Sequence, residues 1–362
     1  MHVMYGKFIF LSVLLLATSA LLACQPADSA QAKVDNYLYR LANSLDTPAP
    51  EYSNTQLAHL PLYPSRKQRR YELASSSIHL LEFLRLSQCE LQRHIGQRNS
   101  SLGQVMPATQ VLIYEVNFIV LAQQCLTQLT DDNNLKISLL AVLQQKQQQL
   151  DKVMWNASFA SDEFAQLFSM SSQPLSSSAI KQPALLLNNA LKQLLHVHQQ
   201  LAPYVRQHGQ PNPTLLRDLG ATEDAYRVLA ASKRLGELRL SMRLMVESLV
   251  KADAIIHQRL GQRPLCLQAQ ANSQYNIVET VFEKYYIGDI QPYVAVLHQQ
   301  AGAIFNLLEQ LLTLQQPTDD FLLFWTRVYT SDASEWRQFE RAIATHTRSW
   351  QQLLTQCGQL PT

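Results

Sequence analysis

Apolar residues recur every three or four positions along almost the whole chain, and that spacing leaves one fold class open. Leu229, Leu235, Leu238, Met242, Met245, Leu249 and Ile256 form one such run; Val34, Leu38, Leu41 and Leu45 form another. Residues three and four apart share a helix face, whereas a half-buried strand needs alternation by two. No stretch of any length alternates in that way, and no fixed-period repeat is present. Only 10 of the 362 residues are glycine, few for the tight turns of a many-stranded sheet. The expectation is an all-α fold: an elongated bundle of antiparallel helices with one very long helix over about residues 223–260, ended by Gly261 and Pro264.

Helix breakers set the other boundaries. A short helix at 32–45 leads into an extended linker at 46–66, which holds Pro48, Pro50, Pro61 and Pro64. A second helix is expected over 69–93, on Leu73, Ile78, Leu81, Leu84 and Leu91. A loop follows at 94–106, then a third helix from Pro107 to 129 and a fourth over 135–154. The Ser-rich stretch 169–183 reads as the internal boundary between an amino-terminal half, 67–168, and a carboxy-terminal half, 184–362, with one large domain built from both halves as the alternative. Beyond 223–260, helices are expected over 273–287, 290–314, 321–329 and 333–356. The glutamines within 144–149, framed by Leu143 and Leu150, read as a weakly charged, solvated helix face.

Residues 1–23 read as an export signal outside the fold. Lys7 precedes 16 uncharged residues, Phe8 to Ala23, short of the roughly 20 that a membrane-spanning helix needs. The run ends in Leu21-Leu22-Ala23-Cys24, which resembles the site where a lipoprotein peptidase cuts before a diacylglycerol-bearing cysteine. Cys24 is then the acylated first residue, held at the membrane by two or three chains. Gln25 stands where Asp would retain a Gram-negative lipoprotein at the inner membrane. The expected address is therefore the inner leaflet of the outer membrane, with residues 24–66 as tether and the body facing the periplasm. Cys89, Cys125, Cys266 and Cys357 remain, an even set for an oxidising compartment. Keeping each bridge within one half pairs Cys89 with Cys125 and Cys266 with Cys357. The first bond demands that the loop after the second helix climb roughly 16 Å, because Cys125 lies far into the third helix.

The chain carries little recognisable chemistry. Loss of Lys7 leaves 29 basic against 28 acidic residues, with no electrostatic footprint for nucleic acid. HExxH, GxSxG, GxGxxG and Walker motifs are absent. His196 and His198, two apart on a helix, face different directions and do not share a metal, and no cofactor is expected. Arg66, Lys67, Arg69 and Arg70 read as a solvated helix start, with contact to anionic head groups as the other reading. Trp325, Trp336, Trp350, Phe324 and Phe339 read as core packing rather than a ligand groove. The candidate functional loop comprises Arg98, Asn99, Ser100 and Gly103, with Tyr114 and Glu115 beside it. Gly96 and Gly103 permit backbone angles that other residues resist, and Arg98 is expected to clamp Glu115.

The run Cys89, Arg98-Asn99-Ser100-Ser101-Leu102-Gly103, Met106, Tyr114-Glu115, Phe118 and Cys125 resembles a family of Gram-negative lipoproteins, the domain of unknown function numbered 3080. So do Cys266, Val281-Phe282-Glu283-Lys284-Tyr285-Tyr286 with Gln291-Pro292-Tyr293, and the ending His346, Trp350, Cys357-Gly358. The resemblance implies an envelope address and no known activity. The function expected is that of a non-enzymatic envelope factor that binds a protein, glycan or lipid partner. The alternative is a hydrolase or transferase acting on envelope glycan or lipid, with Glu115 as its acid. An open cleft holding Glu115 and a second carboxylate would favour the enzyme; Glu115 closed against Arg98 would favour the binding factor.

Overall fold

The computed structural model describes residues 28–48, 60–75, 79–129, 133–207 and 213–358; Cys24 and Gln25 lie outside them. The described residues are helical with no strand. α1 (Ala30–Ser44) is capped by the Ser29 hydroxyl, which accepts from the Ala32 amide. α2 (Arg66–Arg69) is a single turn; α3 (Leu80–Arg85), α4 (Glu90–Asn99) and α5 (Ser101–Gln104) follow. Two long helices, α6 (Ala108–Gln128) and α7 (Asn133–Ala157), pack along each other. Then come α8 (Asp162–Leu167), α9 (Leu185–Gln207), α10 (Pro213–Gly220), α11 (Glu223–Ala231) and α12 (Arg234–Gln262). α13 (Ser273–Val281) runs through a π-helical stretch, Phe282–Ile290, straight into α14 (Gln291–Thr313). α15 (Asp319–Trp325) also ends in a π-helical stretch, and α16 (Glu335–Thr355) completes the fold. No helix among the described residues is long and apolar enough to cross a membrane.

Two hydrophobic cores form. The larger gathers Val34, Leu38 and Leu41 of α1 with α12, α14, α15 and α16. Trp325, Trp336, Trp350, Phe324 and Phe339 are all buried in it. The smaller joins α4, α6, α7 and α10. The cores do not part at 169–183. α9 gives Leu187, Leu191 and Leu194 to the larger core and Val197, Leu201 and Val205 to the smaller; α7 gives Trp155 to one and Leu139, Leu143 and Leu150 to the other. Residues 28–48 and 60–66, expected as tether, are likewise part of the body. α1 is buried along its apolar stripe, Leu60 is buried, and the Pro61 carbonyl accepts from the buried Arg239 guanidinium.

The helix expected over 223–260 is broken at Ser232–Lys233. Ser232 turns extended (ψ 124°), and its hydroxyl accepts from the Arg234 amide. The spacing signals this, because Leu229 and Leu235 are six apart and a continuous helix face wants seven. Gly236 lets α12 lie directly on the backbone of Ser169, where a Cβ would overlap the carbonyl oxygen.

The second helix, expected over 69–93, is also different. Residues 70–75 are extended and strap across α7, held by side-chain amides. Asn156 accepts from the Tyr71 amide (2.9 Å) and donates to the Tyr71 carbonyl (2.8 Å). Gln149 does the same for Ala74, at 2.6 and 3.3 Å, and Gln145 donates to Ser75 (3.3 Å). The registers match. Seven helical residues rise about 10.5 Å, and three extended residues span about 10 Å. The face read as solvated glutamine thus acts as a partner for backbone, and Leu73, Leu81 and Leu84 face outward rather than forming an inward stripe.

Both disulfides form as expected: Cys89–Cys125 with Cα atoms 5.4 Å apart, Cys266–Cys357 at 5.1 Å. For the first pair, α4 continues to Asn99, so it rises about 15 Å beyond Cys89 while α6 descends about 25 Å to Cys125. α5 and residues 105–107 make up the remaining 10 Å or so.

Candidate functional site

The junction of α4, α5 and α6 is built by short-range capping. Ser100 ends α4 and starts α5: its hydroxyl donates to the Gln97 carbonyl (2.7 Å) and accepts from the Gly103 amide (3.1 Å). Gly103 is required by close approach and not by a left-handed backbone, because a Cβ there would overlap the carbonyls of Gln97 and Arg98. Gly96, expected in a loop, sits inside α4 with open space around it. The fold therefore absorbs Ser100 and Gly103 as structural residues.

Arg98 donates to the Gly103 carbonyl and lies 5.9 Å from the Tyr114 ring centroid. The expected Arg98–Glu115 clamp is not made. Glu115 is instead held by Lys146 of α7, whose ammonium donates to both carboxylate oxygens at 2.8 and 2.7 Å. The Lys146 ammonium also sits over the Phe118 ring, 4.6 Å from its centroid. α7 packs on the Glu115 face of α6, so it reaches the carboxylate with a cation that spacing along α4 does not reveal. His94 stacks on Tyr114 with centroids 4.4 Å apart, and burial lowers its pKa below the ordinary value. Burial, reinforced by the Glu115 charge, pushes the Tyr114 phenol well above its usual range.

Arg98, Asn99, Tyr114, Glu115 and Lys146 line one cavity of about 640 Å³, whose apolar wall includes Phe83, Ile95, Val111, Phe118 and Val142. The strap residues Leu73, Ala74 and Ser75 form its rim. A second cavity, of about 420 Å³, shares Leu73, Arg98 and Val111 with the first and adds Arg66, Arg70, Asp162 and Glu163. Arg98 stands at the junction of the two with no carboxylate in ion-pair range among the described residues. The basic cluster is a helix start, but of its four residues only Arg66 and Lys67 are solvated. Arg69 is buried and donates to the Ala160 carbonyl (3.1 Å), the Pro64 carbonyl (3.2 Å) and Asp162 (2.7 Å). Arg66 and Arg70 face the same carboxylate at 3.8 and 3.9 Å.

A second polar constellation lies in the larger core. The His346 Nδ1 is 2.7 Å from the Asp253 carboxylate, the Tyr37 hydroxyl is 2.8 Å from His346 Nε2, and Trp350 Nε1 donates to that hydroxyl at 2.9 Å. With the proton on Nδ1, every donor in the chain has its own acceptor: indole to phenol, phenol to Nε2, Nδ1–H to carboxylate. The order imitates a catalytic relay, yet His346 and Tyr37 are 0% and 1% exposed. No substrate reaches them, and the network fastens α1 to α12 and α16. His346 and Trp350 share a face of one helix in sequence; Tyr37, 309 residues away from His346, carries no signal of the contact.

No group of three His, Cys, Asp or Glu among the described residues is arranged to hold a metal. His198 is buried on α9, and His196 is exposed. No curated protein and no solved structure matches the chain. A family model described as Protein of unknown function (DUF3080) matches residues 34–361, from within α1 to beyond the last disulfide. Both bridges and the helical body from Val34 onward fall inside that match, and the chain belongs to the DUF3080 family.

Proposed function

We propose that this chain is an outer-membrane lipoprotein of a Gram-negative bacterium, anchored through Cys24 and facing the periplasm, that binds an envelope partner without chemistry. The uncharged run ending at Ala23-Cys24, the Gln25 that follows and the two disulfides support the address. The binding reading rests on one observation: Arg98 stands between two adjoining cavities with no carboxylate partner among the described residues, above an apolar wall. An unneutralised guanidinium beside aromatic and aliphatic side chains suits an anionic group carried on an apolar stem. An enzymatic role as hydrolase or transferase would need Glu115 free and a second carboxylate beside it. Lys146 neutralises Glu115, and the lining of the first cavity carries no other acid.

Calorimetric titration with decyl phosphate, against decyl maltoside as the neutral control, tests this. The phosphate is expected to bind with an affinity that falls as salt rises, and Arg98→Ala to weaken it about tenfold. Equal affinity for both probes, or an Arg98→Ala variant as good as wild type, refutes the reading.

A further inference from the structure

We infer that the corner of the fold bearing Asp28, Lys181, Leu185 and Leu186 lies on the lipid bilayer, with the two leucines seated among the head groups. This rests on the Cys24 anchor proposed above and adds to it a face and an orientation. The Asp28 carbonyl accepts from the Ser177 amide at 2.9 Å, and its carboxylate accepts from the Ser178 amide (3.3 Å) and hydroxyl. Asp28 is thus part of the body, and only residues 25–27 separate it from Cys24. Four Cα steps of at most about 3.6 Å place Asp28 within about 15 Å of the acylated residue. The body therefore has no length of chain on which to stand off, and the surface around Asp28 meets the membrane.

That surface is compact. Arg234 donates to the carbonyls of Ala179 and Gln182 (3.3 and 3.0 Å), and Gln300 to those of Ile180 and Gln182 (2.6 and 3.2 Å). The chain leaves this knot directly into α9, whose first two residues point outward: Leu185 is 59% exposed and Leu186 74%. The core at this end of α9 is served by Leu187, Leu191 and Leu194, which leaves the first two leucines without an internal partner. Lys181, exposed beside them, supplies a cation at the level of lipid phosphates. Other outward leucines, such as Leu81 and Leu84, sit on α3, far in sequence from the anchor.

The test uses the full acylated chain in vesicles of phosphatidylethanolamine and phosphatidylglycerol. With four cysteines in disulfides and Cys24 consumed, Leu186→Cys gives a single free thiol for a fluorophore. Gln207→Cys, exposed at the other end of α9, serves as the comparison about 30 Å away. A lipid spin-labelled at head-group depth is expected to quench the probe at 186 about twofold or more and to leave 207 unchanged. The mass of the amino-terminal peptide is read from the same sample. Acylated Cys24 with equal quenching at both positions, or with none at 186, overturns the corner alone. Unacylated Cys24 overturns the anchor and the corner together.

Discussion

The amide strap supplies the sharpest stability test, because α7 makes the same pair of hydrogen bonds twice in different surroundings. Asn156 is 8% exposed and binds the half-buried Tyr71 backbone; Gln149 binds the exposed Ala74 backbone. Asn156→Ala removes two bonds and leaves the Tyr71 N–H and carbonyl short of partners. At about 1 kcal/mol per net bond, plus the desolvation of groups left unpaired, strap opening becomes easier by about 2–4 kcal/mol. Exchange of the Tyr71 amide should then quicken by roughly 30- to 1000-fold. Gln149→Ala leaves groups that water reaches, so opening changes by under about 1 kcal/mol and Ala74 exchange by less than about fivefold. Amide hydrogen exchange followed by mass spectrometry or NMR reads both sites. Equal acceleration in the two variants, or an unchanged Tyr71 in Asn156→Ala, would refute the argument that burial sets the strength of these pairs.

Three further outcomes are expected. Burial pushes the His198 pKa down to about 4, so its neutral ring contributes full stability above the ordinary value near 6.5, and that contribution drains away as pH falls toward 4. His198→Leu should cut the stability lost between pH 7 and pH 5 by about 2 kcal/mol in urea titrations; an unchanged acid limb contradicts the assignment. Replacing Cys266 and Cys357 by Ser opens a loop of 91 residues and should lower stability by about 4–5 kcal/mol, slightly more than losing Cys89–Cys125 with its loop of 36, as read by denaturant midpoints. Cys24→Ala should abolish acylation and leave the signal uncut, and Gln25→Asp should move the protein to the inner membrane; fractionation with the wild type already at the inner membrane rejects the proposed address.

Local periodicity made the long helices legible. The expected third, fourth and last helices, 107–129, 135–154 and 333–356, appear as Ala108–Gln128, Asn133–Ala157 and Glu335–Thr355. The disulfide pairs followed from compartment and chain halves. What sequence concealed were contacts between distant segments. Residues 70–75 resemble a helix start until α7 offers amides in register with an extended chain. Glu115 faces Arg98 in sequence order, but α7 delivers Lys146 to it from 31 residues away. Of the candidate loop, Arg98, Asn99, Tyr114 and Glu115 line the cleft, while Ser100 and Gly103 proved to be the capping and close packing of the α4–α5 turn.

α1 has a consequence for the order in which the molecule is completed. It is synthesised well before α12, the π-helical stretch and α16, against which Val34, Tyr37, Leu38 and Leu41 bury. Until residue 350 is available, Tyr37 lacks the indole that donates to its hydroxyl, and the cover over the apolar stripe of α1 is incomplete. Emergence in chain order therefore makes the residues of the smaller core available first, because α4, α6 and α7 are contiguous, while α1 waits as an unburied amphipathic helix. A chaperone that recognises such helices would meet this chain through α1, and would compete with α12 and α16 for the same apolar stripe.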